Sequence, residues 1–191
     1  EMHLGNVLDV WIISRLETLK EEVTMQYEQY NLAKANRPIA EFIEDLSTWY
    51  VRRSRERFKN GDEEAMHTLG YVLLELAKVM APVMPFVSDY IYKEIGGEKE
   101  SIHLEDWPTV NKNLINPEVL EKMKQTRKAV EIGLALRSEH QIKIRQPLKL
   151  IQFSDEEMFN NLYEDVVKEE LNVKEIALGE KDWLDTEITP E

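Results

Sequence analysis

Apolar positions along most of the chain recur at three- and four-residue steps, the spacing of one helix face. Val7, Trp11, Leu16, Leu19, Val23 and Tyr27 step in this way. Asn6 stands where an N-cap belongs and Asp9 falls in the first turn, so a helix is predicted to about residue 30. Asn31 can cap a second helix reaching about residue 58, with a kink or restart at Pro38, which lacks a backbone donor. Asn60-Gly61-Asp62 stops that helix and starts the next, which carries Leu69, Val72, Leu73, Leu76, Val79 and Met80 as far as Pro82. Pro85 enters a shorter helix over residues 86–95, closed by Gly96-Gly97. Residues 98–116 hold no sustained period and read as a strap pinned by Ile102, Leu104 and Trp107. Asn116-Pro117 opens a long helix to about Ser138, with Val119, Met123, Val130 and Leu134 inward. Gly133 inside it marks a close approach of two backbones.

The period then changes. Residues 149–153 read as a strand, and Ser154 with Glu157 has capping-box spacing for a helix to about Glu170. Asn172 ends that helix, residues 173–178 form a second strand and residues 183–188 a third. The pattern therefore describes a mainly α chain. A helical bundle over residues 1–148, strap included, precedes a small strand–helix–strand subdomain over residues 149–191.

One stripe departs from the rest. At about 100° per residue, Ile39, Phe42, Ile43, Leu46 and Tyr50 share a face that Arg53 and Arg57 continue. Trp49 lies at the border of this stripe and Arg52 well off it. A core-facing stripe that turns to arginine is leaving the core or meeting an anion. A half-buried Trp49 could stack a base from a single-stranded loop while the arginines hold phosphates. The same positions equally suit a packing tryptophan and arginines paired with the chain's many acids.

Charge sharpens this choice. The formal net charge is −13 over 191 residues, which at first argues against a nucleic-acid partner. Yet residues 49–60 hold five basic groups against one acid, and residues 122–149 hold eight against two. The subdomain at 150–191, with 13 acids and 3 basic residues, is a poor anion-binding face. Hydrophobic content of 42% supports a real core, and only 7 Gly and 7 Pro favour long helices over a sandwich. With no cysteine, a disulfide framework and Cys-ligated metal sites are excluded, consistent with a cytoplasmic location. No signal peptide and no apolar stretch long enough to span a bilayer is found, so no membrane partner is expected.

Signs of catalysis are absent: no Gly-rich phosphate loop, nucleophile elbow or paired-histidine metal motif occurs. His3, His67, His103 and His140 fall on separate elements, and acid pairs such as Glu21-Glu22 sit on polar helix faces. The chain by itself is expected to be neither an enzyme nor a metal protein.

Five ordered segments resemble a known family. Leu8-Asp9-Val10-Trp11-Ile12-Ile13-Ser14-Arg15-Leu16 is similar to the LDRWILSRL segment that follows the catalytic part of isoleucyl- and valyl-tRNA synthetases. Residues 42–57, Ala81-Pro82-Val83-Met84-Pro85-Phe86, Ile102-His103-Leu104-Glu105-Asp106-Trp107-Pro108 and Lys143-Ile144-Arg145-Gln146-Pro147-Leu148 match in order. The Trp49-to-Arg55 run and the Lys143-to-Leu148 run resemble the isoleucyl member. Val10 departs from the family's usual arginine.

This resemblance to the class I aminoacyl-tRNA synthetases implies an anticodon-binding helical bundle followed by a junction subdomain, here truncated. It implies recognition of the tRNA anticodon stem-loop by Trp49, Arg52, Arg53 and Arg57. Lys143 and Arg145 would contact the tRNA stem or lock the bundle to the junction. The parent would be an isoleucine–tRNA ligase that uses ATP and Mg in a catalytic domain absent from this chain, leaving no cofactor here. That catalytic domain is a second implied partner. The family also carries a helix before this segment, whose loss is expected to leave an apolar groove beside the first helix, open to self-association. The alternative is a non-catalytic helical docking module whose arginines meet acidic protein surfaces.

Overall fold

A computed structural model describes residues 5–186. The fold is mainly α with a small three-stranded sheet, as the change of period predicts. The chain divides between Pro117 and Glu118 into two compact units.

The first unit is organised around α1 (Val7–Glu28). Asn6 caps it, its side-chain oxygen accepting from the Leu8 amide at 2.9 Å. The helix is enclosed on more sides than an amphipathic stripe requires. Leu8, Trp11, Ile12, Ile13, Leu16, Leu19 and Val23 are buried, but so are Asp9, Ser14, Glu17 and Lys20. Around α1 pack α2 (Leu32–Glu44), a π-helical segment (Asp45–Val51) and α4 (Glu63–Met80). Buried charges on α1 are tolerable because each is partnered. Glu17 accepts from Lys20 Nζ at 2.8 Å, from the Tyr71 hydroxyl at 2.9 Å and from the Asn111 amide at 2.7 Å. Lys20 also reaches Glu75 at 3.1 Å. Among the described residues the apolar side chains of α1 are buried or half-buried, Met25 apart.

The second predicted helix breaks at a different place from the one expected. Pro38 sits inside α2 without ending it, and Asn31 makes no side-chain cap. The ladder changes instead at Asp45, where i→i+5 bonding runs through Val51 before α3 (Arg55–Lys59) follows. Ser47 Oγ donates to the Ile43 carbonyl and Thr48 Oγ1 to the Glu44 carbonyl, each at 2.8 Å. Hydroxyls that bond back onto the preceding turn compete for the carbonyls of the regular ladder, which favours the wider turn. The buried line along this stretch accordingly runs Phe42, Leu46, Tyr50 and Ser54 in four-residue steps. Gly61, with φ of 72°, makes the turn into α4, whose N-cap Asp62 accepts from the Ala65 amide at 3.0 Å.

α5 (Pro85–Glu94) carries proline at its first turn and ends before Gly96, at φ of 83°. The strap that follows is held mostly by polar contacts. Ile102 is buried as expected, but Leu104 is exposed and is no pin. The tighter anchors are Asp89, which accepts from Ser101 Oγ at 2.7 Å and the Ile102 amide at 3.1 Å, and Ser14, which donates to the Leu114 carbonyl at 2.9 Å. Trp107 Nε1 donates to Thr24 Oγ1 at 2.8 Å, and its ring meets Tyr27 edge-on at 5.6 Å.

The second unit comprises α6 (Pro117–Glu139), β1 (Leu148–Phe153), α7 (Glu156–Asn160), α8 (Glu164–Leu171), β2 (Val173–Leu178) and β3 (Trp183–Leu184). The strand order is β2-β1-β3, with β1 parallel to β2 and antiparallel to β3. Gly133 makes room for side chains and not for the second backbone expected: a Cβ there would lie 2.2 Å from Leu171 Cδ1 and 3.0 Å from Ile151 Cδ1. The sequence pattern groups α6 with the bundle, yet Thr126, Gly133 and Arg137 are all engaged with this unit. Leu134 is exposed, because the inward stripe runs Met123, Thr126, Val130, Gly133 and Arg137. The expected capping box is also replaced. Asp155 caps α7, accepting from the Met158 amide at 2.9 Å, while the Ser154 amide and hydroxyl both donate to Asp182. The helix then breaks where the Tyr163 amide donates to Thr126 Oγ1 at 2.8 Å instead of to its own ladder. The predicted third strand is shorter than expected: only Trp183–Leu184 pairs, residues 185 and 186 are irregular, and residues 187–188 lie outside the described residues.

Candidate nucleic-acid interface

In the first basic segment, sequence-adjacent arginines have different fates. Trp49 lies within the π-helical segment and is half-buried; Arg52 is exposed and Arg53 half-buried. Arg52 Nε donates to the Thr48 carbonyl at 2.7 Å, which lays its side chain back along its own helix. Arg57 turns inward. Its Nη1 and Nη2 donate to the two oxygens of Asp9 at 2.8 and 2.7 Å, and Nε donates to Asp62 at 2.8 Å. Asp9 is fully buried and also accepts from the Tyr50 hydroxyl at 2.7 Å. Hydrogen bonding to Asp9 raises the Arg57 pKa above its ordinary value, while burial, with Asp9 beside it, raises that of the Tyr50 phenol. Arg57 therefore joins α1, Tyr50 and the start of α4 into one polar knot. Arg55, which the stripe argument passed over, is exposed.

The second segment belongs to the second unit and follows a similar plan with different partners. Lys143 and Arg145 are exposed in the turn between α6 and β1, where the Gln146 amide donates to the Lys143 carbonyl at 3.0 Å. Among the described residues, neither side chain makes an ion pair. Arg137, in contrast, is 2% exposed and donates to the carbonyls of Lys143, Gln146 and Asn172 at 3.0 to 3.1 Å. Burial lowers its pKa. Other cations of this segment also have partners: Lys128 pairs with Asp155 at 2.7 Å at the surface, and Lys122 lies over the Tyr163 ring at 4.8 Å.

Sequence reasoning missed one further feature of the first unit. Tyr30 and Phe86 are 90% and 89% exposed, and Tyr90 and Val87 are exposed as well. α1 and α4 run in the same direction, since Glu17 meets Tyr71 and Lys20 meets Glu75. Tyr30 and Phe86 thus follow the C-terminal ends of these two helices, whereas Asp9 and Arg57 mark the other end. From Asp9 to Tyr27 the helix rises by roughly 27 Å. At the aromatic end a cleft is lined by Thr24, Tyr27, Glu28, Pro82 and Trp107. Exposed rings leave no trace in an apolar period, because the pattern scores them as core. The signal was the Pro82-to-Phe86 run, a corner where a helix restarts and its first residues lose their neighbours.

Among the described residues no three His, Asp or Glu side chains group to hold a metal, and no helix is long and apolar enough to cross a membrane.

Comparison with known proteins bears on both segments. The model of the anticodon-binding domain of tRNA ligases matches residues 9–152. The isoleucine–tRNA ligase of Treponema denticola is 40% identical over 190 residues, covering 94% of this chain and 17% of the relative. That of Streptomyces avermitilis is 38% identical over 178 residues, covering 90% and 17%. That of Clostridium acetobutylicum is 38% identical over 185 residues, covering 92% and 18%. The chain thus spans less than a fifth of the length of these curated relatives.

Proposed function

Because the chain belongs to the family of anticodon-binding domains of tRNA ligases, we propose that it recognises the anticodon arm of an isoleucine-accepting tRNA. It does so as part of a longer, cytoplasmic isoleucine–tRNA ligase. ATP, Mg and the amino acid are handled by residues outside this chain, and the chain itself supplies binding and orientation but no catalytic group or cofactor. The observation that carries the reading is the family match, which spans both basic segments and therefore covers every candidate contact.

In the first segment half-buried Trp49 is the stacking candidate, and exposed Arg52 and half-buried Arg53 meet phosphates or base edges. Arg57 acts indirectly, by tying the helical segment that carries them to Asp9 of α1. Lys143 and Arg145 meet the phosphate backbone. Sequence is read where unpaired bases stack, and phosphate contacts set register.

A second placement of the anticodon bases is favoured by the exposure of Tyr30, Phe86 and Tyr90. Every base has a stacking face, so these bare rings are a competing platform at the other end of the unit.

Titration with an isoleucine-tRNA anticodon stem-loop, and with a version bearing altered anticodon bases, tests the function. Tighter binding of the first is expected. Equal affinity for both, or none near physiological salt, would overturn it in favour of a protein-docking module. Trp49→Ala and Phe86→Ala then separate the two placements: the ring that stacks a base loses about 1–3 kcal/mol of binding on substitution, the other almost none.

A further inference from the structure

A buried arginine is ordinarily matched by a carboxylate, because an unpaired interior charge is costly. Arg137 is not. Its acceptors are three backbone carbonyls, and no ion pair with it exists among the described residues. Its Nε, also buried, has no acceptor. An apolar residue would fill this inward position of α6 at lower electrostatic cost, so the choice of arginine calls for a role beyond filling space.

What the guanidinium does is close a loop. Gln141, at φ of 57°, turns the chain out of α6, and the Ile142 amide donates back to the Arg137 carbonyl at 2.9 Å. From the same residue the side chain then reaches forward. Nη1 holds the Lys143 carbonyl, while Nη2 holds those of Gln146 and Asn172. Asn172, left-handed at φ of 48°, completes the clasp by donating from Nδ2 to the Ile144 carbonyl at 3.0 Å. The carbonyls of Lys143, Ile144 and Gln146 are all drawn toward the clasp, and the side chains of Lys143 and Arg145 are left exposed. Pro147 then restricts the backbone leading into β1.

We infer that Arg137 and Asn172 are positioning residues that hold the 143–146 turn as a preformed clamp for the phosphate backbone of an RNA. This rests on the reading of the chain as an RNA-binding domain. A mobile loop bearing two cations must be ordered when it binds, and that ordering subtracts from affinity. Here the turn is ordered in advance. Because its internal cation is balanced by dipoles and not by acids, the clamp also keeps all its positive charge.

The experiment uses the whole chain and the isoleucine anticodon arm extended by its stem, titrated over a range of salt concentrations. Wild type must bind first; its failure to do so defeats the RNA-binding reading and not the clasp. The pair Lys143→Ala with Arg145→Ala is expected to lower the slope of log affinity against log salt by about 1.4–1.8, the loss of two phosphate contacts. Arg137→Met, or Asn172→Gly if that variant fails to fold, is expected to weaken binding about three- to tenfold by unpinning the turn. Asn172→Gly keeps the left-handed backbone open and removes only the bond to Ile144. Arg137→Lys should recover part of the loss. The deciding comparison repeats the clasp variant in the background lacking Lys143 and Arg145, where it should change binding no further. An equal loss in both backgrounds would assign Arg137 a structural role only, and an unchanged salt slope in the Lys143/Arg145 variant would remove the clamp.

Discussion

The two basic segments share a plan and differ in one respect. Each turns one arginine to internal acceptors and carries exposed cations near it, Arg52 and Arg55 in the first and Lys143 and Arg145 in the second. In the first, Arg57 meets the carboxylates of Asp9 and Asp62; in the second, Arg137 meets only backbone carbonyls. The first knot sets one cation against two carboxylates, and it joins α1 to the start of α4. The second neutralises nothing and shapes a turn. A run of basic residues in a chain of net charge −13 is therefore not a single surface, since Arg57 and Arg137 are held by internal acceptors.

Replacing the inward residues should expose this difference. Arg57→Ala leaves Asp9 buried without a counter-charge and is expected to lower the unfolding free energy by about 3–5 kcal/mol, measured by urea denaturation. Arg137→Met strands neutral carbonyls only, and a smaller loss of about 1–3 kcal/mol is expected by the same measurement. A larger effect at Arg137 than at Arg57 would break the comparison. Between them in chemistry but weaker lies Asp89, which holds the strap through Ser101 and Ile102 and pairs with the exposed Lys93 at 2.7 Å. Hydrogen bonding to Lys93 and Ser101 lowers its pKa from 3.8 to about 2. A carboxylate with a depressed native pKa stabilises the fold above its ordinary pKa, and that contribution is lost as the pH falls from about 4 to about 2. Melting temperature should decline over that window, and Asp89→Asn should flatten this part of the profile.

Much of the fold could be read from the residues. Asn6, Gly61, Asp62, Pro85, Gly96 and Asn172 each mark an end by local chemistry, and each acts where its side chain or backbone freedom predicts. Harder to read were features decided by distant partners. Pro38 announces a break, but the ladder yields at Asp45, where Ser47 and Thr48 bond back. Ser154 has the spacing of a cap, but Asp182, remote in sequence, takes its donors. The candidate site shows the same limit. Periodicity put Arg53 and Arg57 on one stripe and could not tell that Asp9, on another helix, waits for Arg57. Arg137 was visible only as one cation among eight, since nothing local distinguishes a buried arginine from an exposed one.

The most direct measurement compares the salt dependence of anticodon stem-loop binding in two variants. One is Asp9→Asn combined with Arg57→Gln, which removes both charges of the buried pair and leaves a hydrogen-bonding pair in their place. The other is Arg52→Ala, which removes one outward charge. The expected result is an unchanged slope for the double variant and a slope smaller by about 0.7–0.9 for Arg52→Ala. A reduced slope in the double variant, with Arg52→Ala indistinguishable from wild type, would show that the inward arginine and not the outward one meets the RNA.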